Sequence, residues 1–154
     1  MGSEMCIRDS SKHYPDAEVD YLGIDLSAEM IRLANTLWGH RKQTNFIVAN
    51  ASPRIADYSI ASGIFHVKLE QTKDHWEQFV RKTLDDLSAT SRHGFAVNFL
   101  LPDANEPEVL QLYRTRPEPW SRYCESEPDA IVEVISNYGL PEFTLAVLKR
   151  SSAI

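Results

Sequence analysis

The stretch YLGIDLSAEMIRLAN, residues 21–35, decides the fold. It opens on a short apolar run, Tyr21-Leu22-Gly23-Ile24, that ends at Asp25 and follows Pro15 and Asp16. A continuous apolar run bounded by turn residues suits a strand buried on both faces, as in a parallel sheet. Ser27 is a good N-cap, and Glu29 adds a negative charge where the helix dipole favours one. Met30, Ile31, Ala34, Leu37 and Trp38 then recur at helical spacing, and Gly39 is a stop. A strand that passes through an acidic tip into an amphipathic helix is one βα unit.

The same alternation continues outward. Residues 46–49 (Phe-Ile-Val-Ala) form the next expected strand, with Asn50-Ala51-Ser52-Pro53 as its loop. A further strand is expected over residues 58–63, ending in small residues. Trp76, Phe79, Val80, Leu84 and Leu87 mark an amphipathic helix over residues 73–89, with Gly94 expected to break it. Residues 95–101 (FAVNFLL) read as a buried strand stopped by Pro102. Four prolines fall within residues 102–119, so a loop is expected there, before a short helix carrying Trp120, Tyr123 and Cys124. Residues 131–135 and 143–148 are the last two strands, joined by the turn Asn137-Tyr138-Gly139-Leu140-Pro141. So short a connection forces an antiparallel pair, because parallel strands need a crossover of about a dozen residues or more. The expected architecture is α/β: a Rossmann-like, mostly parallel sheet with helices on both faces and a C-terminal antiparallel hairpin.

Composition narrows the function. The 154 residues amount to one domain, 43% hydrophobic, with a net charge of -6. An acidic chain without a Lys/Arg cluster argues against nucleic acid as a partner. The sequence has no apolar run of about 18 residues, which argues against a membrane span. Cys6 and Cys124 carry neither CxxC spacing nor a disulfide pattern, and the expected location is the cytoplasm. No grouping has metal-ligand spacing, and neither a phosphate-loop GxxxxGK[ST] nor a nucleophile-elbow GxSxG motif is present.

A doubly wound sheet that ends in a hairpin resembles the class I S-adenosylmethionine (SAM)-dependent methyltransferases. YLGIDLSAEMIRLAN looks like their second strand and following helix. FIVANAS (46–52) looks like the third strand and its cofactor loop, and ADYSIASGIFHVKL (56–69) like the fourth strand and the segment after it. VISNYGLPEFTLAVLKR (134–150) looks like the terminal hairpin. The family's first strand and GxGxG loop are expected just before His13, where residues 1–10 read instead as a non-native leader. The domain proper is taken as residues 11–154, a partial methyltransferase domain lacking the first strand.

The resemblance implies SAM as cofactor and a set of site residues. Ligands of open α/β sheets bind at the carboxyl ends of the strands. Asp25 stands at such an end, where an acceptor-only carboxylate suits both ribose hydroxyls. It equally suits a helix N-terminus, and Rossmann dehydrogenases use an acid there for NAD. Leu26 is placed to flank the adenine, whereas Met30 reads as core. Asn50 accepts from the adenine amino group through its side-chain oxygen, or is an ordinary loop residue; Ala51 offers a backbone N–H. Ser62 and Gly63 border the methionine part of SAM and the acceptor, and Gly63 permits close approach. His66 is the one candidate general base, or else a surface or core residue. Many methyl transfers need little beyond alignment of the reacting atoms. Tyr113, Trp120, Tyr123 and Tyr138 either line an acceptor pocket or pack a loop on the sheet.

The resulting expectation is a methyltransferase acting on an unidentified acceptor, a small molecule being favoured. Its oligomeric state is open. The alternatives are a non-catalytic methyltransferase-like binding module and half of an NAD-dependent Rossmann dehydrogenase. Without a glycine-rich loop, this chain alone is expected to bind S-adenosylhomocysteine (SAH) weakly or not at all. Titration calorimetry checks this, and submicromolar binding would contradict it.

Overall fold

The computed structural model describes residues 18–103 and 109–150. The leader expected at residues 1–10 lies outside them. The chain divides into two units, Met1–Pro53 and Arg54–Ile154.

In the first unit β1 (Tyr21–Asp25) and β2 (Thr44–Val48) pair in parallel across α1 (Ala28–Trp38). The helix begins as its sequence dictates: the Ser27 hydroxyl accepts from the Met30 N–H at 3.3 Å, and Gly39 caps the other end. Ile31 and Ala34 on one helix face bury against Phe46 of β2, with Tyr21 and Trp38 packed around them. β2 starts at Thr44, two residues before the expected Phe46, and it ends at Val48.

The second unit holds β3 (Ala56–Ala61), α2 (Lys73–Thr90), β4 (Ser91–Leu100), α3 (Pro117–Glu125), β5 (Ala130–Ile135) and β6 (Glu142–Lys149). They form a four-stranded sheet in the order β3-β4-β6-β5. β3 and β4 are parallel, while β6 runs antiparallel to both β4 and β5. The reversed strand is thus the second arm of the hairpin, and it lies inside the sheet with β5 at the edge.

Strand alternation sorts the residues of this sheet. Phe95, Val97 and Phe99 of β4 face the same side as Phe143, Leu145 and Val147 of β6. Val80 and Leu84 of α2 and Trp120 and Cys124 of α3 close over that side. Phe99 is fully buried, its ring stacked with Phe65 (4.9 Å between centroids), Phe143 (5.3 Å) and Trp120 (5.6 Å). On the opposite side Tyr58, Ile60, Ile131, Ile135 and Leu148 are exposed.

Two expectations are corrected. β3 covers Ala56–Ala61 rather than 58–63, so Ser62 and Gly63 lie beyond it. Gly63 has φ +77°, a left-handed conformation that takes the chain out of the ladder. Gly94 does not break α2. The helix runs to Thr90 and passes at Ser91 directly into β4, which contains Gly94. A glycine is needed there because β6 comes close: a Cβ at Gly94 would lie 2.3 Å from the Val147 carbonyl oxygen. The two glycines therefore differ in what they tolerate. Gly94→Ala is expected to destabilise the fold by about 2–4 kcal/mol through backbone displacement. Gly63→Ala, with nothing within 4 Å of the new Cβ, costs only the left-handed strain, about 1 kcal/mol. Urea denaturation of both variants checks the order.

Candidate functional site

Two groups of polar residues stand at the carboxyl ends of parallel strands, one in each unit. In the first, Asp25 ends β1 and pairs in register with Val48 at the end of β2. The Ala49 N–H donates to the Asp25 carbonyl at 3.2 Å and carries the parallel pairing one step further. Asp25 Oδ1 accepts from the Ser27 N–H at 2.8 Å, which fixes the carboxylate over the turn into α1. A carboxylate has roughly four acceptor positions, so this bond uses only a part of its capacity. Leu26 is 73% exposed directly after the strand. Asn50 and Ala51 are exposed just beyond β2. The structure thus brings Asp25, Leu26, Asn50 and Ala51 to one end of the two-stranded sheet. Met30 is half-buried on α1.

The second group lies past β3. The Gly63 N–H donates to Asn98 Oδ1 at 2.7 Å, and Asn98 Nδ2 donates to Glu142 Oε2 at 2.7 Å. Glu142 Oε1 faces His66 Nδ1 at 3.9 Å, and the two side chains are 16% and 17% exposed. At that separation the contact is electrostatic rather than a hydrogen bond. His66 Nε2 is buried and has no hydrogen-bond partner. The loop carrying these residues is pinned on both sides. Its Phe65 carbonyl accepts from Trp76 Nε1 at 3.2 Å, and its His66 carbonyl accepts from the Tyr113 N–H at 2.8 Å. Ser62, Gly63 and His66, expected from the sequence, are here joined by Asn98 and Glu142, which sequence reading missed. One signal was available: Asn98 is the single polar residue in FAVNFLL. Glu142 carried no signal, because its role depends on where β6 inserts.

Of the aromatic candidates, Tyr113 and Trp120 are core residues, each 2% exposed. Burial pushes the Tyr113 hydroxyl up to about 12. Tyr123 packs edge-on against Trp120 and donates its hydroxyl to Asp85. Tyr138 is exposed, with its hydroxyl 3.1 Å from that of Thr144. Burial also raises the Cys124 thiol to about 12, so it is not a nucleophile. Among the described residues no cluster of three or more His, Cys, Asp or Glu is placed to hold a metal, and no helix is long and apolar enough to cross a membrane.

Parallel β3 and β4, with a reversed strand set between β4 and the edge strand β5, define a Rossmann-like methyltransferase fold. No protein-family model matches the sequence. The chain is 38% identical over 135 residues to the Mycobacterium tuberculosis protein Rv1506c, whose name assigns it provisionally to the methyltransferases. That alignment takes in 87% of this chain and 81% of the relative. Solved structures share the fold at low identity. One is a SAM-dependent methyltransferase from Aquifex aeolicus, with a TM-score of 0.62, 16% identity and coverage of 97% of this chain and 78% of that one. Another is magnesium protoporphyrin IX methyltransferase from Synechocystis PCC 6803, solved with bound SAH. Its TM-score is 0.59 at 10% identity over 84% of this chain, which spans 64% of that enzyme's length. The chain belongs to the same methyltransferase family as the Mycobacterium tuberculosis relative.

Burial lowers the His66 pKa from its ordinary 6.5, and the Glu142 carboxylate opposes the shift. With the folded value depressed, the unfolded chain takes up the proton first as the pH falls. The stability that depends on a neutral ring is complete above 6.5 and is lost as the pH drops through the lowered folded value. Urea midpoints between about pH 7 and pH 5 are expected to fall in the native chain. His66→Gln is expected to flatten that part of the profile.

Proposed function

We propose that this chain binds SAM at the ends of β1 and β2 and serves methyl transfer to a small-molecule acceptor in the cytoplasm. The observation that carries the reading is Asp25. Its carboxylate is held at a strand end by a single backbone donor and keeps acceptor capacity for two ribose hydroxyls. Leu26 supplies an exposed apolar side chain for the adenine ring, and Asn50 and Ala51 offer an acceptor and a backbone donor one strand over. These residue types fit the adenosine half of the cofactor. Support also comes from the structural neighbours, one solved with SAH and another named as SAM-dependent.

When bound, SAM supplies an activated methyl group on a sulfonium centre. The protein's part is then alignment, in which Asp25 and Asn50 fix the nucleoside. The low exposure of His66 and Glu142 places them where water is scarce.

Amide NMR tests the reading at the weak affinities expected. Titration with SAH should shift the signals of residues 25–27 and 50–52. Asp25→Ala should weaken that binding at least about tenfold, the worth of a hydrogen bond to a charged group. Equal shifts with NADH in place of SAH would favour a dehydrogenase half. No shift at either segment with millimolar SAH would remove this site.

A further inference from the structure

The sheet of the second unit runs in the order β3-β4-β6-β5, so among the described residues β3 and β5 each pair on one side only. An edge strand presents a row of N–H and C=O groups without ladder partners, and proteins guard such edges with charges, prolines or bulges. β5 is guarded: Glu133 stands at its middle, on the same face as Ile131 and Ile135. β3 (ADYSIA) holds no lysine and no proline, and its one charge, Asp57, is paired with Arg92 of the same chain at 3.0 Å. The irregularity near its start belongs to β4, where Arg92 and His93 together lie opposite Asp57, so β3 itself runs regular. Its outward residues are Tyr58 and Ile60, 61% and 60% exposed. Their neighbours on β4 are Gly94 and Ala96, too small to cover them. An exposed, regular edge strand with large apolar side chains is a template for another strand.

We propose that β3 is the interface between two copies of this chain, paired antiparallel about a two-fold axis through Ser59 so that their sheets become one. In that register Tyr58 lies opposite the partner's Ile60, and Ile60 opposite the partner's Tyr58. An aromatic ring across from a β-branched side chain is a favourable cross-strand pair, and the symmetry makes it twice. Asp57 falls opposite the partner's Ala61, so no like charges meet. Gly63, in its left-handed conformation, ends the ladder just beyond Ala61. The other edge opposes the same kind of pairing. Opposed residues of an antiparallel pair face the same side of the sheet, so the fullest self-pairing of β5 sets Glu133 against the partner's Glu133. Like charges directly opposite are destabilising, and association therefore stops at two copies. This surface lies wholly within the second unit and does not depend on the cofactor reading.

Sedimentation velocity of the full chain provides the test. As the concentration rises through the micromolar range, the 17.5 kDa species should give way to one of twice that mass. In a mixture of ¹³C-labelled and unlabelled chain, isotope-filtered NOEs should join the Tyr58 ring to the Ile60 methyls of the other copy. Two charge variants check the register. Tyr58→Lys with Ile60→Lys sets like charges against each other and should leave a monomer. Tyr58→Lys with Ile60→Glu sets opposite charges against each other, and its dimer should come apart in high salt. Both positions are exposed, and amide dispersion reports whether each variant keeps its fold. A native chain that stays monomeric at every concentration would overturn the proposal. So would a dimer whose filtered NOEs join Ile131 and Ile135 instead, or one that survives Tyr58→Lys with Ile60→Lys. The native-chain measurements decide the matter even where a variant fails to fold.

Discussion

The alternation of side chains along β4 is the constraint from which both core and site follow. Phe95, Val97 and Phe99 point to one side and meet the inward residues of β6. Phe99 is the hub, stacked on Phe65, Trp120 and Phe143, and so joins the loop after β3, helix α3 and strand β6. Each aromatic pair adds about 0.5–1.5 kcal/mol beyond the apolar area it buries. Between Val97 and Phe99, Asn98 points the other way and ties Gly63 to Glu142. A slip of one residue in the β4–β6 register would exchange the two sets and lose both.

Fixing Phe65 in the core has a consequence for its neighbour. His66 follows Phe65 immediately, so the stacking that buries one ring sets the backbone that carries the other. Bonds from Trp76 Nε1 and from the Tyr113 N–H hold the two carbonyls of this pair. The loop past β3 is thus anchored by packing on one side and by Asn98 on the other. The first unit reaches a similar end with fewer parts: Asp25 is held by one backbone donor at the turn into α1. Asp25 keeps further acceptor capacity beyond that bond. In the second unit Asn98 gives one bond from its oxygen and one from its amide to protein partners, which ties Gly63 to Glu142.

Much of the architecture was legible because it is local. Ser27, Glu29 and the spacing of Ile31 and Ala34 specify α1 through short-range hydrogen bonds and one apolar face. The short turn before β6 required an antiparallel partner, and it has one in β5. Other readings failed where distant residues intervened. Gly94 reads as a helix breaker until the close approach of Val147 shows why a strand needs it. Residues 58–63 read as a strand until Gly63 turns left-handed and gives its N–H to Asn98, 35 residues away. Tyr113 and Trp120 carry no mark in the sequence that separates a pocket wall from a core, and packing around Phe99 puts them in the core.

By itself the sequence determined the succession of strands and helices, the acidic strand end at Asp25 and the final reversal, because caps, periodicity and turn length act within a few residues. The family resemblance rested on those same local features. Only the tertiary structure decided that β6 lies between β4 and β5, and that choice alone brings Glu142 against His66 and Asn98. Strand order depends on which apolar faces bury together across the whole sheet. No window of sequence contains that information, since Asn98 and Glu142 are 44 residues apart.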